Sequence, residues 1–469
     1  MSARRVLSRA AGALALAACA GGAQAGAYIF AGGGNNVDII THPPGYNGVG
    51  TVSPIPVSVC IDPTSALQAE IAVPLQNVIA HYNQFVPSTG NLRSGADNAL
   101  SSNQFDYESV LMHEIGHCLG LAHPNIATES GQPSGNYDYT KAEGSPGSFS
   151  VGLELAPGVD GLIGSRDDVR GDDINLHWYR RGVNNPFVLS TPVTAANYAR
   201  TLAFLPAGHL YAENADRTVA AARGFANTEA VMQQGQLNDE DQRALQADDA
   251  STFLLARTGI NGAVGGNDDY AINLQYGGVA SGCNLTVITD PAYAGFAVCQ
   301  VSGGGVPGGG ALHFRITAAT LRMNDDTAWY FSTNRVPAPV ADTATVAVGG
   351  TVTTVNGAQT SLLANDTHPT GAALVLATTA RPGPANGTVT LNANGTFSYT
   401  HNGGAATSDE FTYRVCMQSD PNACSHQRVA ITVSGVAGLI FQNGFENPRA
   451  RLGRALTPSS LNRYHFSPV

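Results

Sequence analysis

Residues 113–123 read His-Glu-Ile-Gly-His-Cys-Leu-Gly-Leu-Ala-His. His113 and His117 stand four apart, so on a helix both imidazoles project from one face and can reach one metal ion. Glu114 follows the first histidine and lies beside such an ion without having to ligate it. Gly120 can take the left-handed conformation that a side chain penalises, and so can end the helix. The turn it permits brings His123 back as a third ligand. Three protein nitrogens leave one tetrahedral position for water, the pattern of a catalytic zinc rather than a structural one.

This spacing resembles the long zinc signature of the metzincin metallopeptidases. The resemblance implies Zn²⁺ held by His113, His117 and His123, with Glu114 as the general base. Peptide bonds would be hydrolysed by a zinc-activated water, and Glu114 would pass its proton to the leaving amine. Metzincins also carry a methionine turn beneath the zinc. No methionine occurs between His123 and Met232. Met232 closes the stretch EAVM at 229–232, and LQADDASTFLLARTG follows at 245–259. That combination resembles the methionine turn and a closing helix that opens with paired aspartates. It requires a large insertion at about 125–225. A second candidate for the closing helix is 170–179 (RGDDINLHWY), which has no nearby methionine.

The rest of the chain sets this motif in an exported protein. Arg4, Arg5 and Arg9 precede a short apolar run at 10–20, and Ala23-Gln24-Ala25 offers small residues for cleavage after Ala25. The run is too short to span a hydrocarbon core of ~30 Å, so residues 1–25 read as a signal peptide with no transmembrane segment in the mature chain. Leu16-Ala17-Ala18-Cys19 resembles a lipoprotein box, and anchoring at Cys19 is the alternative. Without Cys19, six cysteines remain, enough for three disulfides with fifteen possible connectivities. Nearness in sequence suggests Cys283–Cys299 and Cys416–Cys424, leaving Cys60–Cys118. The net charge is −11 and Lys141 is the one lysine, so no basic stripe offers itself to nucleic acid or anionic membrane.

At 469 residues the chain suits about three domains. Its 54 glycines and 25 prolines favour turn-rich β structure. Residues 54–61 read as a strand, 74–85 as a helix with proline in its first turn, and 107–121 as the histidine helix. Residues 125–159 read as a surface insertion, and 172–181 and 239–257 as helical. From 266 to 333 short β-like runs alternate with glycine-rich turns, a small β domain or an appendage to the first. Pro337 and Pro339 mark a linker. Beyond it, strands recur every ~8–12 residues, the spacing of a β-sandwich. Asp366 in LLAND, the hairpin GTVTLNANGTFSYT at 387–400 and DEFTYRV at 409–415 resemble the cadherin-like, immunoglobulin-type repeats of bacterial secreted proteins. In such proteins the module usually spaces or adheres. The stretch IFQNGFE at 440–446, in a tail spanning 436–469, resembles a terminal tag of some secreted bacterial proteins.

The expected fold is therefore an α+β metzincin-like catalytic domain (27–262) followed by all-β domains, with a β-sandwich at 340–435. Asp160, Asp167, Asp168, Asp172 and Asp173 crowd together and could hold Ca²⁺, although a solvated acidic loop is the plainer reading. The expected function is a secreted zinc endopeptidase acting on protein or peptide substrates, with surface, glycan or protein contacts through the C-terminal module. The alternative is a secreted adhesion or scaffold protein that retains a metzincin fold with little or no catalysis.

Overall fold

The structure, a computed structural model, describes residues 28–30, 39–51, 53–98, 100–122, 178–180, 198–199, 210–212, 217, 225–233 and 236–435. The signal at 1–25, the tail at 436–469, His123 and the aspartate cluster at 160–173 lie outside the described residues.

Strand β2 (Ile55–Ile61) carries Val57, Val59 and Ile61 fully buried. Such a strand needs partners for its backbone on both edges. It pairs in parallel with β9 (Ile272–Val279) on one side and β10 (Leu285–Thr289) on the other. β10 pairs in parallel with β12 (His313–Met323), as does β1 (Ile40–His42). β11 (Ala297–Gly305) runs antiparallel along the opposite flank of β12. The result is a six-stranded, mostly parallel sheet. Four of its strands come from 272–323, so that stretch, read as a small β domain or an appendage to the first, completes the sheet that β1 and β2 begin.

Helix α1 (Gln68–Gln84) starts six residues before Pro74, not at it. A proline inside a helix costs about 3 kcal/mol. Ile71, Leu75, Val78 and Tyr82 recur at helical spacing and bury against the sheet, and that burial offsets the loss. Helix α2 (Tyr107–Cys118) packs beside α1 through Leu111, Met112 and Ile115. Helix α3 (Ala247–Arg257) buries Phe253, Leu255 and Ala256 in the same core.

Two expected helices are shortened or replaced. Within 239–257, residues Glu240–Gln242 form β8, which pairs with β3 (Leu92–Ser94), and α3 begins only after the Gln246 cap. Within 172–181, residues Trp178–Arg180 form strand β5, flanked by β6 (Tyr198–Ala199) and β7 (Leu210–Ala212). Trp and Tyr are strand formers, and pairing on both sides outweighs a short helical pattern. The alternative closing helix at 170–179 thus runs into a strand. A last short pair joins β4 (Phe105–Asp106) to β13 (Trp329–Tyr330).

The disulfides correct two of the three expected pairs. Cys60 joins Cys283, Cys118 joins Cys299, and only Cys416–Cys424 is as expected. Cys283 and Cys299 are near in sequence, but β12 lies between β10 and β11 in the sheet and keeps them apart. Parallel pairing of β2 with β10 brings Cys60 to Cys283, and α2 lies against β11 where Cys118 meets Cys299.

Beyond residue 340 a β-sandwich closes over Tyr399, Phe411, Tyr413 and Val429. One layer holds β14 (Asp342–Ala347), β20 (Asp420–Ser434), β19 (Ser408–Met417) and β16 (Leu374–Leu376). The other holds β15 (Thr351–Val352), β18 (Phe397–His401) and β17 (Gly387–Leu391), with Asn394-Gly395 at the expected hairpin turn. The proline stretch before it is not a loose linker. Pro337 and Pro339 accept hydrogen bonds from Ser425 and Gln427, and Val336 N–H donates to Asn77 on α1.

The sandwich is seated on the end of α2. Asp106 caps that helix by accepting from Ser109 N–H at 3.0 Å. Arg243 grips Asp106 with two hydrogen bonds of 2.8 and 2.6 Å and donates a third to the Asn422 carbonyl of the sandwich at 3.2 Å. Both charged groups are buried. Arg243→Met leaves the Asp106 carboxylate without its cation and should destabilise the protein by about 3–5 kcal/mol, measured by urea unfolding.

Behind Thr41, His42 donates and accepts within a buried cluster, bonding Tyr270 Oη through Nδ1 and His313 Nδ1 through Nε2, each at 3.0 Å. Burial, then the neighbouring His313, pushes His42 down to about 3. Its folded pKa lies below the unfolded value, so between pH 6.5 and 3 only the unfolded chain takes the proton. Stability present above pH 6.5 is lost on acidification, at about 1.4 kcal/mol per pH unit for this one group. In urea titrations of metal-free protein, His42→Phe should flatten the stability–pH slope by that amount between pH 6 and 4.

Candidate metal centre

Asp106 starts α2, and a Schellman turn ends it: Gly120 N–H donates to His117 O and Leu121 N–H to Gly116 O, each at 3.0 Å. Gly120 has φ +114°, and a Cβ there would lie 2.9 Å from the Thr41 carbonyl. Both the backbone angle and the close approach require glycine, so the helix stops at Cys118 rather than reaching 121. The turn brings the Leu121 carbonyl back toward the helix, where His117 Nδ1 donates to it at 2.9 Å.

His113 is held from the other side. Its Nδ1 donates to the Val231 carbonyl at 2.7 Å. A carbonyl can only accept, so both histidines carry their proton on Nδ1 and their ring lone pair on Nε2. The rings lie with centroids 4.7 Å apart and planes nearly perpendicular. Burial lowers His113 to about 4; burial and then His113 lower His117 to about 3. Neutral imidazoles are what a metal needs.

Met232 sits directly beneath. Residues 230–233 turn back with Gln233 N–H on Ala230 O, and Met232 is buried under the histidine helix. Its Sδ would stand 2.3 Å from a Cβ on Gly116, so the helix approaches the methionine at its glycine. Asp249, in the first turn of α3, accepts from Val231 N–H at 2.8 Å, Met232 N–H at 3.0 Å and Gln246 N–H at 2.9 Å. The expected pairing of Met232 with the aspartate-led helix is present as a contact. The role of Asp249 as the hand that holds the turn went unread in the sequence; its signal was the pair Asp248-Asp249 opening a helix.

Glu114 is buried, with the backbone amide of Cys299 on β11 close enough to ease its charge. Its Oε2 is buried without a hydrogen-bond partner among the described residues. Burial raises Glu114 to about 8, partly countered by that amide. Two imidazoles with Nε2 lone pairs suit a borderline cation such as Zn²⁺, and the buried Glu114 follows the first of them on the same helix. Among the described residues no three His, Cys, Asp or Glu side chains gather as a metal site. The third expected ligand, His123, lies just past Ala122, where description stops.

The edge strand beside Glu114 has a readable polarity. Phe296 O accepts from Asn324 N–H, so the even residues of β11 face β12. The odd ones face outward: Ala297 O accepts from Tyr293 Oη, and the Cys299 N–H lies on the Glu114 side. Among the described residues β11 has no strand on that outer edge.

Comparison with known proteins bears on the other end of the chain. Residues 334–432 match the bacterial Ig domain family Big_9, which makes the sandwich a bacterial Ig domain. No curated protein sequence matches the chain. One similar solved structure is a nucleoside hydrolase-related hypothetical protein from Saccharophagus degradans that is associated with carbohydrate metabolism. It has 17% identity and a TM-score of 0.16 over 24% of this chain and 27% of that one. Another is the protocadherin gamma B2 extracellular cadherin domains 1–5, with 12% identity and a TM-score of 0.16 over 26% and 22%. The chain thus spans about a quarter of each, and so low a score carries nothing about fold or chemistry. Three disulfides and a bacterial Ig domain are consistent with an extracellular protein. Among the described residues no helix is long and apolar enough to cross a membrane.

Asp249→Ala strips the acceptor from three backbone N–H groups, each orphaned at about 1–3 kcal/mol. It also frees the Val231 carbonyl that orients His113, which should weaken zinc binding about 10–100-fold in competition with a chromophoric chelator.

Proposed function

We propose that the protein is an exported zinc-dependent endopeptidase of metzincin type, with the Ig domain as an accessory module. The observation that carries the reading is the joint placement of His113, His117 and Glu114. Two imidazoles are fixed as Nδ1–H tautomers by backbone carbonyls above a buried methionine, beside a carboxylate with an unpartnered oxygen. The residues present suit zinc, which His113 and His117 would hold, with His123 as the third ligand. Bound there, zinc supplies Lewis acidity that lowers the pKa of water and polarises a carbonyl.

The chain's own residues supply the rest. Glu114 takes the proton of the attacking water and delivers it to the leaving amine, and its burial suits a group that must hold a proton in mid-reaction. The outward amides and carbonyls of β11 offer an extended peptide a strand to pair with, which would lay its backbone beside Glu114. Val231 and Leu121 keep both histidines from turning. The Asp106–Arg243–Asn422 contact gives the Ig domain a fixed seat at the start of the same helix. Export through the residues 1–25 signal completes the reading, with lipid anchoring at Cys19 as the other form.

A paired assay tests it. Zinc content and casein cleavage are measured on mature wild type and on Glu114→Ala. One zinc per chain in both, with cleavage reduced by at least about 10²–10⁴-fold in the variant, is the expected result. Equal cleavage by both removes Glu114 as the base. Absence of zinc in wild type removes the metal reading, and zinc without cleavage in either favours the adhesion or scaffold reading.

A further inference from the structure

On α2, Glu114 and Cys118 stand one turn apart and therefore share a face. Both reach the same residue of the edge strand. The Cys299 amide lies near the Glu114 carboxylate, and Cys118 is bonded to the Cys299 sulfur, with the two Cα atoms 5.6 Å apart. A residue bonded through its side chain to the helix is held at one place along it.

On its other side β11 is held by β12, and Ala297, Cys299 and Val301 pack on the core. Among the described residues its outer flank has no strand partner, its pairing with β12 breaks register at Ser302/Gly303, and it ends in three glycines. Edge strands of this kind open at low free energy. The other core disulfide, Cys60–Cys283, lies across the sheet, on the far side of β10 and β12 from β11.

We propose that Cys118 and Cys299 are positioning residues for Glu114, their disulfide pinning the edge strand so that the carboxylate and the peptide-docking edge keep one alignment. This rests on the peptidase reading above. Neither sulfur touches the reacting atoms.

The test compares Cys118→Ala/Cys299→Ala with Cys60→Ala/Cys283→Ala in the mature full-length chain. Zinc content, Tm, kcat and KM on casein-derived peptides, and hydrogen exchange over 107–118 and 297–305 are measured well below each Tm. A displaced base should cost about 10–100-fold in kcat, with KM and zinc content little changed. The 60/283 pair should lose Tm but keep kcat. Cys118→Val/Cys299→Ala refills part of the removed volume; it should recover Tm without recovering kcat. Exchange at 297–305 should quicken in both 118/299 variants only.

Several outcomes overturn the proposal: kcat within about two-fold of wild type in a folded 118/299 variant, equal kcat losses in the two pairs, or loss of zinc as the cause of inactivity. If wild type cleaves nothing, the peptidase reading fails, and exchange alone decides the clamp. Unchanged protection at 297–305 then removes it.

Discussion

Two imidazoles on one helix face, His117 buried and His113 half-buried, must each find an acceptor for the Nδ1 proton, and in this protein both acceptors are backbone carbonyls outside the helix. Leu121 supplies one because Gly120 lets the chain fold back on itself. Val231 supplies the other because Asp249 gathers the amides of the turn that contains it. The two imidazoles are thus held by a relay from α3 through the turn containing Met232 to α2. A buried donor without a partner would cost as much as a typical hydrogen bond or more, so neither histidine can swing without penalty.

The sheet is the second constraint. Its parallel strands are drawn from both ends of the N-terminal region, and the histidine helix, the turn and α3 fall between β2 and β9 in sequence. The single antiparallel strand, β11, lands beside Glu114 and leaves one edge open among the described residues. A buried carboxylate beside an open strand edge is the arrangement on which the proposed reaction of an extended backbone rests.

The bacterial Ig domain is coupled to this core more closely than a spacer need be. Arg243 joins the cap of α2 to the Asn422 carbonyl, and Arg93 bonds both Asp241 and the Pro421 carbonyl. These contacts place the β19–β20 turn, closed by Cys416–Cys424, against the start of the histidine helix. Losing either partner of the Arg243–Asp106 pair would leave an uncompensated buried charge, which makes the seat costly to break.

His113, Glu114, His117 and Gly120 were legible in the sequence because a helix converts spacing into a shared face, a local rule that needs no tertiary knowledge. The hairpin at Asn394-Gly395 and the Cys416–Cys424 bridge were legible for the same reason. Met232 was reached only through a resemblance, since nothing local ties it to a helix so far upstream. The start of α1 was misread because burial of Ile71 and Leu75 overrides the signal of Pro74. The pairs Cys60–Cys283 and Cys118–Cys299, the union of 272–323 with β1 and β2, and the grip of Asp249 and Arg243 were decided by tertiary structure alone. Strand order and helix docking bring together residues as distant as Ile40 and His313, or Cys60 and Cys283, and no spacing rule encodes which distant edges will meet.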